Sequence, residues 1–330
     1  MRTKPFVALA AVTLVVVVAA AVAVIGRRTA EAPPQAGGPL APGLAERINA
    51  VTRVDVTSAD GTVTVTRGDQ GWTVQQKDGY RADADAVKSL VVGLAEARVV
   101  EARTAQPDLY DRLGVGDPGP GKESELVTVR AGDAVLASVI LGKTASGNAA
   151  GNTSMLYARR AGEAQSWMVR GPLAPVQAEP LRWLDRALPR LPRDRVQAVE
   201  VRQPDGAAVT LRRDAPSDKE FAVSGMEKPS PSAIEQTAGA LAALTFEDVA
   251  KADPARFKDA VVTTYRGFDG LTVTVRTVRR DDQAWLTLTA EGDAPEATEW
   301  QAKTAGWAFR VYDALADDLT RKGEGFAAKE

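Results

Sequence analysis

The residues able to do acid–base chemistry come in close pairs: Asp83/Asp85, Glu123/Glu125, Asp281/Asp282 and Asp317/Asp318. Two carboxylates sharing a cleft can divide the acid and base roles of glycoside cleavage, or hold a hard cation. Each pair here falls at a helix cap, a strand start, a turn or a helix face, where solvated acids are common. None is therefore assigned a catalytic role. A second series is basic: Arg182 and Arg186 are spaced to share a helix face, Arg190 continues the row, and Arg193 and Arg195 lie beyond. Guanidinium groups in such a row can grip phosphate or an acidic partner. The plainer reading is a solvated face pairing with Asp185 and Asp194. Arg182, Arg186 and Arg190 are the candidate partner or anion surface.

What the chain lacks narrows its chemistry further. It has no Cys and no His, so a thiolate nucleophile, a Ser-His-Asp triad, the usual structural zinc sites and haem attachment are all excluded. Gly142-Lys143-Thr144 suggests a phosphate loop, but the motif needs Gly where Ala137 stands and a helix where Asn148–Asn152 follows, so it reads as a hairpin loop. No Ser is followed three residues later by Lys, which removes the local Ser-Lys signature. No catalytic residue, cofactor or metal ligand is assigned, and the chain reads as a non-enzyme. Its 41 basic and 43 acidic residues leave a formal charge of −2 without a long block of one sign, which argues against nucleic acid as a partner. Aromatics make up only 5%, so Val, Leu and Ala must build the core, and the six Trp serve core or interface.

The elements that must position these residues begin with an uncharged run of 20, Phe6–Ile25, bracketed by Arg2 and Lys4 and by Arg27-Arg28. At about 1.5 Å per residue it matches the roughly 30 Å hydrocarbon thickness and exceeds a signal-peptide core of about 7–15 residues. Residues 1–28 are thus expected to be an uncleaved transmembrane anchor. Flanking charges nearly balance, and the large hydrophilic body after a tail of five residues tips the orientation. The expected place is the cytoplasmic (inner) membrane of a bacterium, single-pass, with the body outside the cytoplasm. Residues 29–49, rich in Ala, Pro and Gly, read as a tether.

Alternation then takes over. Val54 and Val56, Asp60-Gly61, Val63 and Val65, Trp72 and Val74 predict strand, tight turn, strand, strand. Asp83–Ala97 carries Val87, Leu90, Val91 and Leu94 at helical spacing. Strands follow around Leu126–Arg130, Val135–Leu141, Met155–Arg159 and Trp167–Val169, then a short helix over Glu179–Leu188. From residue 193 the pattern repeats: Val199 and Val201, Asp205-Gly206, Val209 and Leu211, Phe221 and Val223, displaced by about 145 residues. A helix opened by Ser230-Pro231 and the capping box Ser232-x-x-Glu235 follows. Strands at Val261–Tyr265, Leu271–Val275 and Trp285–Leu288 and a last helix near Ala308–Arg321 end the chain.

This order resembles a bacterial family of membrane-anchored proteins, domain of unknown function 4340. The resemblance is carried by the Asp60-Gly61 hairpin with Trp72-Thr-Val74, by Gly114-Val115-x-x-Pro118 where the family has Gly-Leu-x-x-Pro, by Val139-Ile-Leu-Gly142, Tyr157 and Trp167-Met-Val169, and by Leu181-Arg-Trp-Leu-Asp-Arg-Ala-Leu188. It covers roughly Val51–Leu191 well and the second half weakly. It implies no activity and no site residues, because the family has none established. Members are often encoded beside ABC-type transport components of the gliding-motility kind, which implies an accessory role at the membrane.

The expected architecture is α+β: an N-terminal transmembrane helix, then two related halves, 50–192 and 193–330, each an antiparallel sheet with one or two packed helices. The expected function is a non-enzymatic accessory or scaffold subunit of an envelope complex, with an envelope protein, such as a transporter subunit, as partner. Two alternatives stand beside it: a carboxylate-based enzyme on cell-wall glycan or lipid-linked sugar, and a module binding an apolar or glycolipid ligand.

Overall fold

Alternating β-branched residues with Asp-Gly turns give this chain its antiparallel ladders. The structure, a computed structural model, describes residues 37–145 and 153–328. The expected anchor and most of the loop 142–152 lie outside the described residues. No helix among the described residues is long and apolar enough to cross a membrane.

Two antiparallel sheets carry the fold. The first is built from β1 (Arg53–Ser58), β2 (Gly61–Gly68), β3 (Gly71–Val74), β4 (Tyr80–Arg81), β5 (Arg98–Ala102), β6 (Glu125–Ala131), β7 (Ala134–Thr144), β8 (Ser154–Arg160) and β9 (Ser166–Gly171). The second holds β10 (Val196–Arg202), β11 (Ala208–Arg212), β12 (Ala222–Val223), β13 (Asp248–Lys251), β14 (Val261–Gly267), β15 (Thr272–Arg280), β16 (Gln283–Glu291) and β17 (Trp307–Val311). Their strand orders are β4-β3-β2-β1-β6-β7-β8-β9-β5 and β12-β11-β10-β14-β15-β16-β17-β13. Apart from β4 the two sequences of strands are the same. The pairings repeat as well: Val65 stands opposite Val74, and Leu211 opposite Val223. Both Asp-Gly turns are where the sequence puts them, with Gly61 at φ 140° and Gly206 at φ 92°. Asp281 and Asp282 take φ 50° and 57° to turn β15 into β16, as a type I′ hairpin turn requires.

Five α-helices accompany the sheets among the described residues: α1 (Ala84–Glu96), α2 (Tyr110–Leu113), α3 (Pro231–Gly239), α4 (Ala297–Thr304) and α5 (Asp313–Leu319). The stripe Val87, Leu90, Val91 and Leu94 of α1 is buried, as its spacing predicts. α1 packs so closely that a Cβ on Gly93 would lie 2.7 Å from the Pro172 carbonyl oxygen. α3 is capped by Ser230, which accepts from Ala233 N–H at 3.4 Å, rather than by Ser232. The reason is Pro231 at the first helical position, where its missing N–H costs nothing.

Four expectations are corrected. The helix over Glu179–Leu188 does not form: one 3-10 turn, Pro180–Trp183, gives way to extended backbone at Leu184, because this stretch pairs with residues 81–83. The last helix begins only at Asp313, since Trp307–Val311 is taken up as a strand between β13 and β16. The tether is shorter than 29–49. Gly37–Leu40 lies along β5, with Gly37 N–H on Val99 O (2.7 Å), Val99 N–H on Gly38 O (2.8 Å) and Leu40 N–H on Ala97 O (2.9 Å), and Leu40 and Leu44 are fully buried. Finally, the described residues separate into two compact units, 37–62 with 85–178, and 63–84 with 179–328. The stretch 63–84 thus groups with the second unit, not with its sequence neighbours.

Candidate functional site

In the first unit the Gly114-Val115-x-x-Pro118 stretch is organised around a buried arginine. Gly114 closes α2 in the left-handed conformation, φ 67°, and Val115 is fully buried. Arg159 on β8, 4% exposed, donates from Nε to Val115 O (2.8 Å), from Nη1 to Glu163 O (2.9 Å) and from Nη2 to Asp117 Oδ1 (2.7 Å). Its guanidinium lies 4.7 Å from the centre of the Tyr110 ring. Gly142 is Gly because a Cβ there would strike the carbonyls of Leu113 and Gly114. The adjacent Arg160 donates to Leu40 O at 2.8 Å and Pro39 O at 3.0 Å, and so pins the incoming chain. Five fixed donors on one planar group suit this carbonyl-gathering task.

In the second unit the Leu181–Leu188 stretch has a matching role. Asp83 N–H donates to Trp183 O (2.8 Å), and Asp185 N–H donates to Arg81 O (3.1 Å). Arg81 reaches Asp185 Oδ2 at 2.8 Å, Lys303 O at 2.7 Å and Ala187 O at 3.2 Å. Under this clamp sits an aromatic cluster: the Tyr80 ring meets Trp307 at 4.9 Å, Phe246 at 5.9 Å and Phe309 at 6.1 Å, all edge-on. Tyr80 Oη is buried and has no hydrogen-bond partner among the described residues. Burial pushes its pKa up to about 12, with the nearby Arg81 charge acting against this.

A testable consequence follows from this ring. In unfolded chain the phenol ionises near its usual value of about 10, while the folded chain keeps the proton until about 12. Between these values the unfolded state binds fewer protons, so stability falls as pH rises. Tyr80→Phe is expected to flatten that alkaline loss, and to leave neutral-pH stability equal or higher because it removes an unsatisfied buried hydroxyl. Urea melts of both proteins across this range check it; an unchanged alkaline slope sinks it.

The arginine row predicted from sequence is not brought together on a helix. Arg182 is exposed and pairs with Glu179 at 3.3 Å. Arg186 donates to Phe246 O and lies 5.6 Å from the centre of that ring. Arg190 is exposed on the extended stretch that follows. The acidic pairs are dispersed too. Glu123 pairs with Lys143 (3.1 Å), Asp317 with Arg279 and Asp318 with Arg321 (both 2.6 Å). Burial raises the pKa of Asp318, against the opposing charge of Arg321. Burial likewise raises Glu125, a backbone hydrogen bond at Ala178 opposes it, and the Asp60 charge adds to it.

Sequence reasoning missed a cleft in the second unit. Its floor is Phe257, Val278, Ala308 and Trp285, Ala250 and Lys251 of β13 form one wall, and Arg256 and Arg280 stand at its rim with the single carboxylate of Asp253. Lys251, Arg256 and Arg280 are all exposed, and no ion pair falls on them among the described residues. Lys251 Nζ lies 3.7 Å from the centre of the Trp307 ring, and Asp253 caps the next turn by accepting from Ala255 N–H at 3.0 Å. The enclosed space, about 10 Å³, holds at most one water. A partner's side chain would rest on its floor rather than inside it. The three cations are 5 to 29 positions apart in sequence, so no local spacing marks them. A wider groove of about 580 Å³ in the first unit is lined by Arg103, Arg112, Thr104, Gln106 and Gln165 and by no carboxylate. Among the described residues no group of three or more Asp or Glu gathers to hold a metal ion.

These features define an α+β protein of two antiparallel sheets whose distinctive stretches serve to lock the chain's own carbonyls and rings. The sequence profile of a domain of unknown function, DUF4340, matches residues 72–260, and the chain belongs to that family. The match begins at Trp72 and runs through β13, further into the second half than the resemblance had suggested. No curated protein and no solved structure matches the chain.

Proposed function

We propose that the chain is a non-enzymatic accessory subunit of an envelope complex, anchored by Phe6–Ile25 with its body outside the cytoplasm, and that it works by binding another protein. The observation that carries this is the cleft of the second unit: a shallow apolar floor with Arg256 and Arg280 at its rim, neither of them in an ion pair among the described residues. Neither concavity described above places two carboxylates together, which favours binding over the carboxylate-enzyme alternative. Its shallowness favours a protein surface over an enclosed lipid. The shared strand order supports deriving the two halves from one duplicated unit. The family's gene neighbourhood makes ABC-type transport components the first partners to test.

The anchored reading gains a geometric limit. Eleven residues separate Ile25 from Gly37, where the chain joins the sheet edge. They can reach at most about 40 Å whatever their conformation. A reporter active only outside the cytoplasm and fused after Glu330 is expected to be active, and mild affinity purification from solubilised membranes is expected to recover a protein partner. A silent reporter would overturn the topology; no partner under mild solubilisation would overturn the binding role.

A further inference from the structure

The counterpart edges of the two sheets are not treated alike. β5 and β13 hold equivalent terminal positions, each bonded on one side to the preceding strand in its order. On its outer side β5 carries Gly37–Leu40, held by three main-chain bonds and by Arg160 on two of its carbonyls. On the outer side of β13 no such strand lies among the described residues. Its register with β17 pairs Asp248 with Arg310 and Ala250 with Ala308, and Ala252 N–H on Gly306 O (2.9 Å) fixes the phase. Val249 and Lys251 therefore aim their N–H and C=O groups outward. The Val249 N–H is covered by the Asp248 carboxylate at 2.7 Å, which Lys77 holds at 2.6 Å. That leaves the Val249 and Lys251 carbonyls and the Lys251 N–H as outward groups with no main-chain bond among the described residues.

Beside these open groups lies the cleft. Ala250 and Lys251 belong to both the edge and the cleft wall, and the rim cations Arg256 and Arg280 flank the apolar floor. An exposed edge gives affinity through main-chain bonds, and pockets for alternate side chains give selectivity.

We propose that the β13 edge takes an added strand from a partner protein, an extended segment whose apolar side chains cover the Phe257–Trp285 floor, with carboxylates beside them meeting Arg256 and Arg280 and carboxylates on its other face meeting Lys251. Charge complementarity selects the acids. The strand seated on β5 is the same device filled from within the chain. This rests on the protein-binding reading above and names its surface.

The test uses the full chain in detergent and a labelled short Glu-Val peptide, Glu-Glu-Val-Glu-Val-Glu-Glu, whose Val face also carries a Glu at each end, with an alternately N-methylated version that lacks half its N–H donors and a version with Lys in place of Glu. The Glu-Val peptide is expected to bind saturably and to slow hydrogen exchange at Lys251. Arg256→Glu with Arg280→Glu should weaken it about tenfold or more, as should Lys251→Pro, which removes the outward donor and the ammonium together, and more than Lys251→Ala, which keeps the donor. Equal binding by the N-methylated peptide, no effect of charge reversal, or no saturable binding overturns the strand-addition proposal. So does phosphatidylglycerol vesicles binding to the same residues in the peptide's place. Affinity purification with the Lys251→Pro chain separates the two readings. A partner still recovered at wild-type yield overturns the edge alone, whereas a partner absent from the wild-type chain overturns the binding role itself.

Discussion

Phe246→Ala is expected to remove about 3–5 kcal/mol of stability from the second unit, the cost of emptying a fully buried aromatic site. Phe246, Tyr80 and Phe309 are each 0% exposed, and the Phe246 and Phe309 rings lie 5.3 Å apart. The cluster joins parts far apart in the chain: Tyr80 comes from the 63–84 stretch, and Phe309 from β17. No neighbour can close the space without giving up its own edge-on contact. Arg186 would also lose the ring beneath its guanidinium. Urea unfolding followed by near-ultraviolet circular dichroism checks this, because Trp307 stands against Tyr80 at 4.9 Å. A loss below about 1 kcal/mol would mean the cluster is repacked rather than emptied.

The second large effect is expected at Arg159. Arg159→Ala leaves the Val115 and Glu163 carbonyls without their donor and opens space beside Tyr110. Each carbonyl left without its donor costs about 1–3 kcal/mol, and the space beside Tyr110 adds to this. Because Asp117 is 80% exposed on its side chain, its ion pair with Arg159 adds little, and the loss comes from the orphaned carbonyls. Arg159→Lys is expected to recover little of the loss, since an ammonium cannot span three acceptors held in a planar fork. Trp167 is the one Trp in the first unit, so its fluorescence follows that unit, provided the five in the second are replaced by Phe. Full rescue by Lys would show that charge, not the fork, is what this site needs.

The DUF4340 signature stretches acquire a physical meaning from these sites. Gly114-Val115 presents a carbonyl to Arg159, Gly142 leaves room for the Leu113–Gly114 backbone, and Asp185 anchors Arg81. They are places where the backbone must approach closely or a carbonyl must find a donor.

The positions of the strands other than β4, β5, β13 and β17, both Asp-Gly turns, the buried stripe of α1 and the repeated order of elements were legible in the sequence alone. All depend on a two- or 3.6-residue period or a positive φ, and these act between near neighbours. Three things were decided only by tertiary structure. Leu181, Leu184 and Leu188 have helical spacing, yet their segment is extended because its backbone groups bond to residues 81–83. Trp307–Val311 has apolar residues that suit a helix, yet β13 and β16 offer it open ladders on both sides. The stretch 63–84 and the cations of the cleft find their neighbours across more than a hundred and about thirty positions, respectively. Local periodicity determines what kind of element a segment can be; which unsatisfied edge or ring it meets depends on contacts whose sequence separation no short window contains.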